Sequence, residues 1–374
     1  MSGIDILAKE QRELKHIAVE RGISELRAGR PILLRAGQSL AIAIGVEALN
    51  ESIAANLQNL ARRNARLVLP APRLRRLGLE RTQPGSFALP RIDVTRIAHL
   101  GMDTSARFDA PVAPLSKLDV AALEIARLAL ILPAVVVVPV AARGVAALCL
   151  IEVETGTIAA YRGQEMASLH IISRAPVPLE EAPETEFVVF RGGEGLRDQV
   201  AVIVGKPDLS EPVTVRLHSA CLTGDLFGSM KCDCGDQLRH TIKFMAENGG
   251  GVLLYLDQEG RGNGLSNKIR AYKLQAKGFD TYDADEMLGF DHDQRSFDFA
   301  AGMLQQLGIT RVRVMTNNPL KIAALENAGL DVVADQRILG RMNDHNVRYL
   351  ASKRDRAGHF LDIDAAESKS TVSD

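Results

Sequence analysis

Three of the chain's four cysteines fall within CLTGDLFGSMKCDCG, residues 221–235, as Cys221, Cys232 and Cys234. Thiolates spaced this closely repel one another unless a cation sits between them. Zinc binds thiolate sulfur tightly and has no redox chemistry of its own; in catalytic sites it takes three protein ligands and leaves a fourth position to water. Such a water drops in pKa from about 15.7 to about 7, a source of hydroxide at neutral pH. Three cysteines match that count. His218, just upstream in RLHSAC, would instead close the site as a structural Cys3His centre. Spacing alone leaves both readings open, while the polar CDCGD argues against packed, unliganded cysteines.

Downstream, DQEGRGNGLSNKIRAYKLQ places Glu259, Arg261, Lys268, Arg270 and Tyr272 in and just beyond a glycine-rich loop. Gly260, Gly262 and Gly264 let backbone N–H groups approach a ligand, and the helix expected next favours negative charge at its start. DHDQRSFD carries Asp291, Asp293 and Arg295, and TNNPLK leads into a helix whose first turn holds Lys321. Taken singly, each reads as readily as a solvated loop or a helix cap. Together with a hydroxide-generating metal they suit a nucleotide whose base is hydrolysed and whose phosphates are gripped.

Alternating strand and helix patterns must position these groups. Residues 7–29 have amphipathic helical spacing, RPILL at 30–34 reads as a strand, PAPRLRRLG as a turn and RTQPGSFALPRIDVT as a loop. AVVVVPV has the unbroken apolar run of a strand buried on both faces. SRAPVPLEEAPETE, residues 173–186, concentrates prolines and carboxylates and reads as a linker. Beyond it EFVVF, VAVIVG, VTVRLHS and VLLYL read as strands, and GDQLRHTIKFMAENGGG as a helix with Leu238, Ile242 and Met245 on one face, stopped by Asn248 and glycines. The expectation is an α/β (α+β) protein of two mixed-sheet domains, 1–172 and 187–362, followed by a flexible tail over 363–374.

Composition narrows the function. Lys plus Arg is 45 against 46 for Asp plus Glu, so no global field draws the chain onto nucleic acid or an acidic membrane. Aromatics at 4% with no Trp leave little for base-stacking platforms. The longest apolar stretch, from residue 128, is interrupted by Pro133 and Pro139 and is shorter than the roughly 20 residues of a membrane span. Charges every few residues in MSGIDILAKEQRELKHIAVERG do not fit a secretory signal, and the cysteine pattern is not a disulfide framework. These features predict a cytoplasmic protein that binds neither nucleic acid nor membrane.

RLHSACLTGDLFGSMKCDCGDQL, LLYLDQEGRGNGLSNKIRAYKLQ, DADEMLGFDHDQRSFD and MTNNPLKIAALENAG, in this order between residues 185 and 362, resemble the successive signatures of GTP cyclohydrolase II, which opens GTP at the start of riboflavin synthesis. The resemblance implies a zinc enzyme, working with Mg²⁺ and expected to be a homodimer, that yields 2,5-diamino-6-ribosylamino-4(3H)-pyrimidinone 5′-phosphate, formate and pyrophosphate. It implies Cys221, Cys232 and Cys234 as zinc ligands, and Arg216, Leu217, His218, Ser219, Ala220, Gln237, Glu259, Gly260, Arg261, Thr281, Thr316 and Lys321 as the lining of the GTP site. It casts Asp293 as proton acceptor, Arg295 at the position proposed as nucleophile toward the α-phosphate, and Tyr272 as a catalytic tyrosine. Two rivals are a zinc-containing nucleotide-binding regulator without turnover and a cyclohydrolase that releases no pyrophosphate; retention of Asp293, Arg295 and Tyr272 argues against both.

Two positions depart from the pattern. Ala220 stands where the family usually has Glu, and Asp257 where it often has Arg. In the first half, LRAGRPILL, LNESIAANLQNLARRN, RLRRLGL and DVAALEIARLALILPAVVVV resemble 3,4-dihydroxy-2-butanone 4-phosphate synthase. The acidic run that holds Mg²⁺ in that synthase is replaced by RAGQSLAIAIG, and its Gly-His-Thr-Glu segment by LSKLDVAALE. Arg35 and Gln38 offer no hard oxygen-anion ligands, so this half is expected to be a degenerate relative kept for dimer contacts or support.

Overall fold

The computed structural model describes residues 3–338, apart from 62–64, 109, 146–147, 194–196 and 292–294, and after them 340, 343, 346, 351, 354–356 and 358–360. Asp293 and the tail at 363–374 lie outside the described residues. The first part of the chain forms α1 (Gly3–Arg27), β1 (Ile32–Ala36), β2 (Ser39–Gly45), α2 (Glu51–Ala61), β3 (Ala65–Leu69), α3 (Ala71–Arg76), β4 (Gly85–Leu89), α4 (Val94–Met102), α5 (Lys117–Leu128), β5 (Val135–Val140), α6 (Ala142–Val145), β6 (Glu152–Glu154) and α7 (Thr155–Ser168). Next come β7 (His170–Pro176), β8 (Thr185–Arg191), β9 (Gln199–Val204), β10 (Val213–Ser219), α8 (Leu222–Asp225), α9 (Cys234–Glu247) and β11 (Gly251–Leu256). The last are α10 (Leu265–Gln275), α11 (Thr281–Met287), α12 (Asp298–Gln306), β12 (Arg311–Met315), α13 (Pro319–Asn327) and β13 (Asp331–Gln336). Among the described residues no helix is long and apolar enough to cross a membrane.

The elements sort into two compact units. The first comprises 1–163, 266–279 and 283–293; the second comprises 164–265, 280–282 and 294–374. Unit one is built on a six-stranded sheet in the order β4-β3-β5-β2-β1-β6, antiparallel except for the β1/β6 pair. The valine run of β5 is buried on both faces, as its sequence predicts. Val136 and Val138 join one core with Ile42, Ile44 and Leu67, while Val135 and Val137 join the opposite core with Ile32 and Leu34. Strand alternation is the cause, since successive side chains leave a strand on opposite faces.

Two segments expected to be irregular are regular. PAPRLRRLG, read as a turn, contains α3, because a proline within the first turn has no N–H to lose and a preset φ. The loop-like stretch around 81–95 contains β4, paired with β3, and the start of α4, whose Asp93 accepts from Arg96 N.

Unit two carries a seven-stranded mixed sheet, β13-β12-β10-β11-β9-β8-β7. β13, β12, β10 and β11 run parallel, and β9, β8 and β7 continue antiparallel. Within the proline-rich stretch 173–186, β7 runs to Pro176 and β8 begins at Thr185. On one face Val213, Val215 and Leu217 of β10 meet Val252, Leu254, Val312 and Val314 and the apolar sides of α12 and α13. On the other face α9 covers the sheet with Leu238, Ile242 and Met245.

Candidate functional site

Cys221, Glu259, Arg261 and Thr316 follow the carboxyl ends of the three adjacent parallel strands β12, β10 and β11. Loops after such strands diverge and leave room for ligands. β10 ends at Ser219 and runs into Cys221, β11 ends at Leu256 before the Asp257–Gly264 loop, and β12 ends at Met315 before Thr316–Asn318. Because side chains alternate, β10 buries Val215 and Leu217 in the core and turns Arg216 and His218 to the opposite face. A buried arginine and a buried histidine within an otherwise apolar strand demand partners.

Cys221 precedes α8, and Cys232 and Cys234 flank Asp233 at the start of α9. Their three sulfurs lie within 4.8 Å of one another, with Cys221 Sγ 3.6 Å from Cys232 Sγ. The Cys232 thiol is pushed up to about 11, first by its hydrogen bond with Cys221 and further by burial. Two glycines create the space. A Cβ on Gly224 would stand 2.7 Å from Cys232 Sγ and 3.1 Å from Cys221 Sγ, and a Cβ on Gly235 would stand 2.2 Å from the Gly224 carbonyl oxygen. Three soft sulfur donors around a cradle that admits no methyl group fit a thiophilic ion such as zinc.

His218 is not part of the cluster: among the described His, Cys, Asp and Glu side chains only the three cysteines come together there. Its Nε2 lies 3.1 Å from both carboxylate oxygens of Asp225, and its ring stacks on Tyr255 at 5.5 Å. Burial, the largest influence, holds the His218 pKa below the ordinary histidine value. Asp225 is a hub. Its Oδ2 also accepts from the Cys221 amide at 2.9 Å and from the Tyr255 hydroxyl at 3.0 Å, fixing the backbone at Cys221.

Cationic groups converge on the end of β10. Arg216 donates to Gln237 Oε1 at 2.6 Å and to the Met315 carbonyl at 3.3 Å, while its buried Nε has no hydrogen-bond partner among the described residues. Burial lowers its pKa to about 10, so it remains charged at neutral pH. Gln237 in turn donates to Asp233 at 2.5 Å. Arg295 donates to Ser219 Oγ at 3.3 Å, and Lys321 donates to the Leu217 carbonyl at 2.5 Å. Arg295 and Lys321 both lie over the Phe297 ring, at 5.3 and 5.2 Å. Thr316 Oγ1 accepts from Asn318 N, and Asn318 caps α13 by accepting from Leu320 N.

The loop after β11 is left-handed at Gly260, Arg261, Gly262 and Gly264. For Arg261, at φ 61°, that conformation costs about 1–2 kcal/mol; its guanidinium lies 4.1 Å over the Tyr282 ring. Glu259, nearly buried, accepts from Leu222 N at 2.6 Å and Gly260 N at 2.9 Å, which sets a carboxylate one residue from Cys221. Ala220 prolongs the ladder through its N–H to the Leu256 carbonyl. Arg197 donates to the Asp257 carbonyl and approaches its carboxylate at 3.9 Å, so the charge at Asp257 is answered locally.

Thr281 opens α11 within unit two. Tyr272 belongs to unit one, half-buried on α10 with Lys268 Nζ 5.7 Å from its ring. Asp225, Tyr255, Gly224 and Phe297 were not singled out from sequence. The spacing of Asp225 and Gly224 from Cys221 within CLTGD was the available signal.

The sequence profile described as GTP cyclohydrolase II matches residues 170–337. A protein named GTP cyclohydrolase-2 from Xylella fastidiosa (strain Temecula1) is 44% identical over 356 residues, covering 93% of this chain and 88% of that protein. One of the same name from Azospirillum brasilense is 40% identical over 364 residues, covering 92% of this chain and 94% of its own. Riboflavin biosynthesis protein RibBA from Phocaeicola vulgatus is 45% identical over 175 residues, 47% of this chain and 43% of that protein. Among solved structures, RibBX, a two-domain 3,4-dihydroxy-2-butanone 4-phosphate synthase from A. baumannii, matches with a TM-score of 0.34 and 16% identity over 86% of this chain and 99% of that one, a likeness too distant to carry an assignment.

Proposed function

The chain belongs to the GTP cyclohydrolase II family, and from that premise we propose that it hydrolyses GTP to 2,5-diamino-6-ribosylamino-4(3H)-pyrimidinone 5′-phosphate, formate and pyrophosphate, with zinc held by Cys221, Cys232 and Cys234 and Mg²⁺ entering with the triphosphate. The observation that carries this reading is the three-sulfur cluster at the end of β10, beside a buried carboxylate and three converging cations. When bound there, zinc supplies Lewis acidity and a lowered pKa for water.

The chain's own residues do the rest. Glu259 accepts from the N1–H and amino group of guanine, a pairing that the two oxygens of one carboxylate make with two adjacent donors. That pairing rejects adenine, which offers no N1–H. Arg216, with an unpartnered buried Nε, and Lys321 hold phosphate oxygens, supported by Gln237, Ser219, Thr281 and Thr316. Arg295 stabilises charge at the α-phosphate rather than attacking it, because a guanidinium stays protonated and has no lone pair to offer. Asp293 accepts the proton of the attacking water, and Tyr272 assists proton movement. Lacking the carboxylate usual at position 220, this chain relies on Glu259 and Asp225 for negative charge near the sulfurs.

The first half contributes no synthase chemistry in this reading. Where that synthase holds Mg²⁺ with glutamates, Arg35 donates two hydrogen bonds, 2.5 and 2.7 Å, to Glu152 across the β1/β6 pair. The full-length relatives that share this half are named for the cyclohydrolase alone, whereas the RibBA relative matches over 175 residues. The same reading makes the protein a cytoplasmic homodimer.

Formate and pyrophosphate, measured together from GTP and Mg²⁺ with and without a zinc chelator, test the proposal. It predicts equal amounts of both, lost on chelation and restored by zinc. Neither product would mark a nucleotide-binding regulator, and formate alone a cyclohydrolase that keeps the triphosphate.

A further inference from the structure

Unit one contains two stretches that the chain supplies from far beyond its first half, 266–279 and 283–293. They carry α10 and most of α11, and α3 of the first half grips α11. Arg73 on α3 is 1% exposed, and among the described residues its guanidinium pairs with no carboxylate; it donates to four backbone carbonyls. Three close the end of α4, at His99 (3.3 Å), Leu100 (2.9 Å) and Asp103 (2.6 Å), and the fourth is Met287 of α11 at 2.9 Å. Carbonyls at helix ends carry partial negative charge, so one cation binds two helix ends at once. Beside it Arg75 pairs with Glu286 at 3.0 Å, and Arg76 pairs with Asp283 at 2.5 Å and Glu286 at 3.0 Å.

Further grips follow along both stretches. Arg270 pairs with Glu47 at 2.8 Å, Asn267 donates to the Leu130 carbonyl at 3.1 Å, and Arg127 reaches Asp291 at 3.7 Å. Leu132 packs with Leu274, Met287 and Phe290. At Gly289, left-handed at φ 88°, a Cβ would stand 3.0 Å from Pro70 Cγ. Apolar packing alone would suffice for adhesion. Burying a guanidinium against backbone carbonyls adds something else, a fixed position along α11, at the cost of desolvating a charge.

We infer that the synthase-like first half has become a positioning frame for the cyclohydrolase, with Arg73, Arg75 and Arg76 as positioning residues that set the stretch between the Glu259–Arg261 loop and Arg295. This rests on the cyclohydrolase reading above, because the stretch matters to the reaction through Thr281, enclosed between the two held segments, and through Arg295, which follows the second by covalent continuity. None of the three arginines has a role in either family's chemistry as the resemblances imply it.

The test uses full-length protein with the charges of the partly exposed pairs reversed, leaving the buried Arg73 intact so that folding is preserved. In Arg75→Glu/Arg76→Glu, the frame predicts unchanged zinc content, KM for GTP within about threefold, and kcat for formate release lower by roughly tenfold or more, since small misplacements are amplified in rate. Amide exchange across 266–291 should quicken by roughly tenfold as that unit loosens locally. Adding Asp283→Lys/Glu286→Lys to the same chain should return both readouts toward wild type. Unaltered exchange in Arg75→Glu/Arg76→Glu, or quickened exchange there with wild-type kcat, overturns the inference. If wild-type protein releases no formate, the cyclohydrolase reading fails instead, while the exchange comparison still decides whether the frame holds the stretch.

Discussion

Replacing Gly224 with alanine probes the sulfur cradle with a single methyl group. That methyl would stand 2.7 Å from Cys232 Sγ, 3.1 Å from Cys221 Sγ and 3.1 Å from Cys234 Cβ, all inside the 3.4 Å at which ordinary van der Waals contact begins. None of the three is the free end of a flexible chain. Cys221 is pinned through its amide to Asp225, and Cys232 and Cys234 are fixed by the start of α9. The cluster must therefore spread. Overpacking of a fixed site costs about 1–3 kcal/mol, which at about 1.4 kcal/mol per decade is roughly 5- to 150-fold in affinity. Competition for zinc against a chromophoric chelator should register this loss, with formate release falling in parallel and returning in part at high zinc. Gly228→Ala is the control: φ there is +61° but nothing lies within 4 Å of the added Cβ, so it strains the backbone and leaves zinc affinity unchanged. Wild-type zinc affinity in Gly224→Ala would refute the packing argument, and equal losses in both variants would assign the effect to a general disturbance of the segment rather than to contact with the sulfurs.

Asp225→Asn keeps the shape of the hub but turns an amide N–H₂ toward groups that themselves donate, leaving at least one of His218, Tyr255 and the Cys221 amide poorly satisfied. Zinc affinity should fall roughly 10- to 100-fold, as for other residues that orient a metal ligand, and an unaltered affinity in the chelator competition would remove Asp225 from the metal's support. Arg295→Ala should reduce pyrophosphate release by roughly 100-fold, the usual cost of losing one transition-state charge donor, with GTP affinity by equilibrium dialysis changed far less. Comparable losses in both would make Arg295 a binding group only.

What the sequence disclosed follows from the range of its signals. The cysteine spacing, the apolar periods of β5, β10 and β11, and the asparagine cap of α13 are local, and each is visible within a few residues. Spacing left the role of His218 open because ring orientation depends on what packs against β10; Tyr255 on one side and Asp225 on the other decide it. Gly224 matters only because α8 and α9 meet there, a distance with no trace in periodicity. PAPRLRRLG reads as a turn, yet Arg73 within it is buried, because helix-end carbonyls from α4 and α11 converge on it from 26 and 214 residues away. The sequence marks α10 as a helix, but the compact unit to which a helix belongs is decided by partners distant in the chain. The departure at Asp257 is visible in sequence, whereas Arg197, 3.9 Å from its carboxylate, comes from 60 residues away.

The central claim is that three sulfurs hold a zinc ion whose remaining position is open to water and substrate. X-ray absorption at the zinc edge of the full-length protein tests it most directly. The account predicts three sulfur neighbours at about 2.3 Å and one oxygen at about 2.0–2.2 Å, with the oxygen shell altered when a non-hydrolysable GTP analogue binds. A fourth sulfur or an imidazole nitrogen in that position, unchanged by the analogue, would contradict it and make the metal a structural fastening.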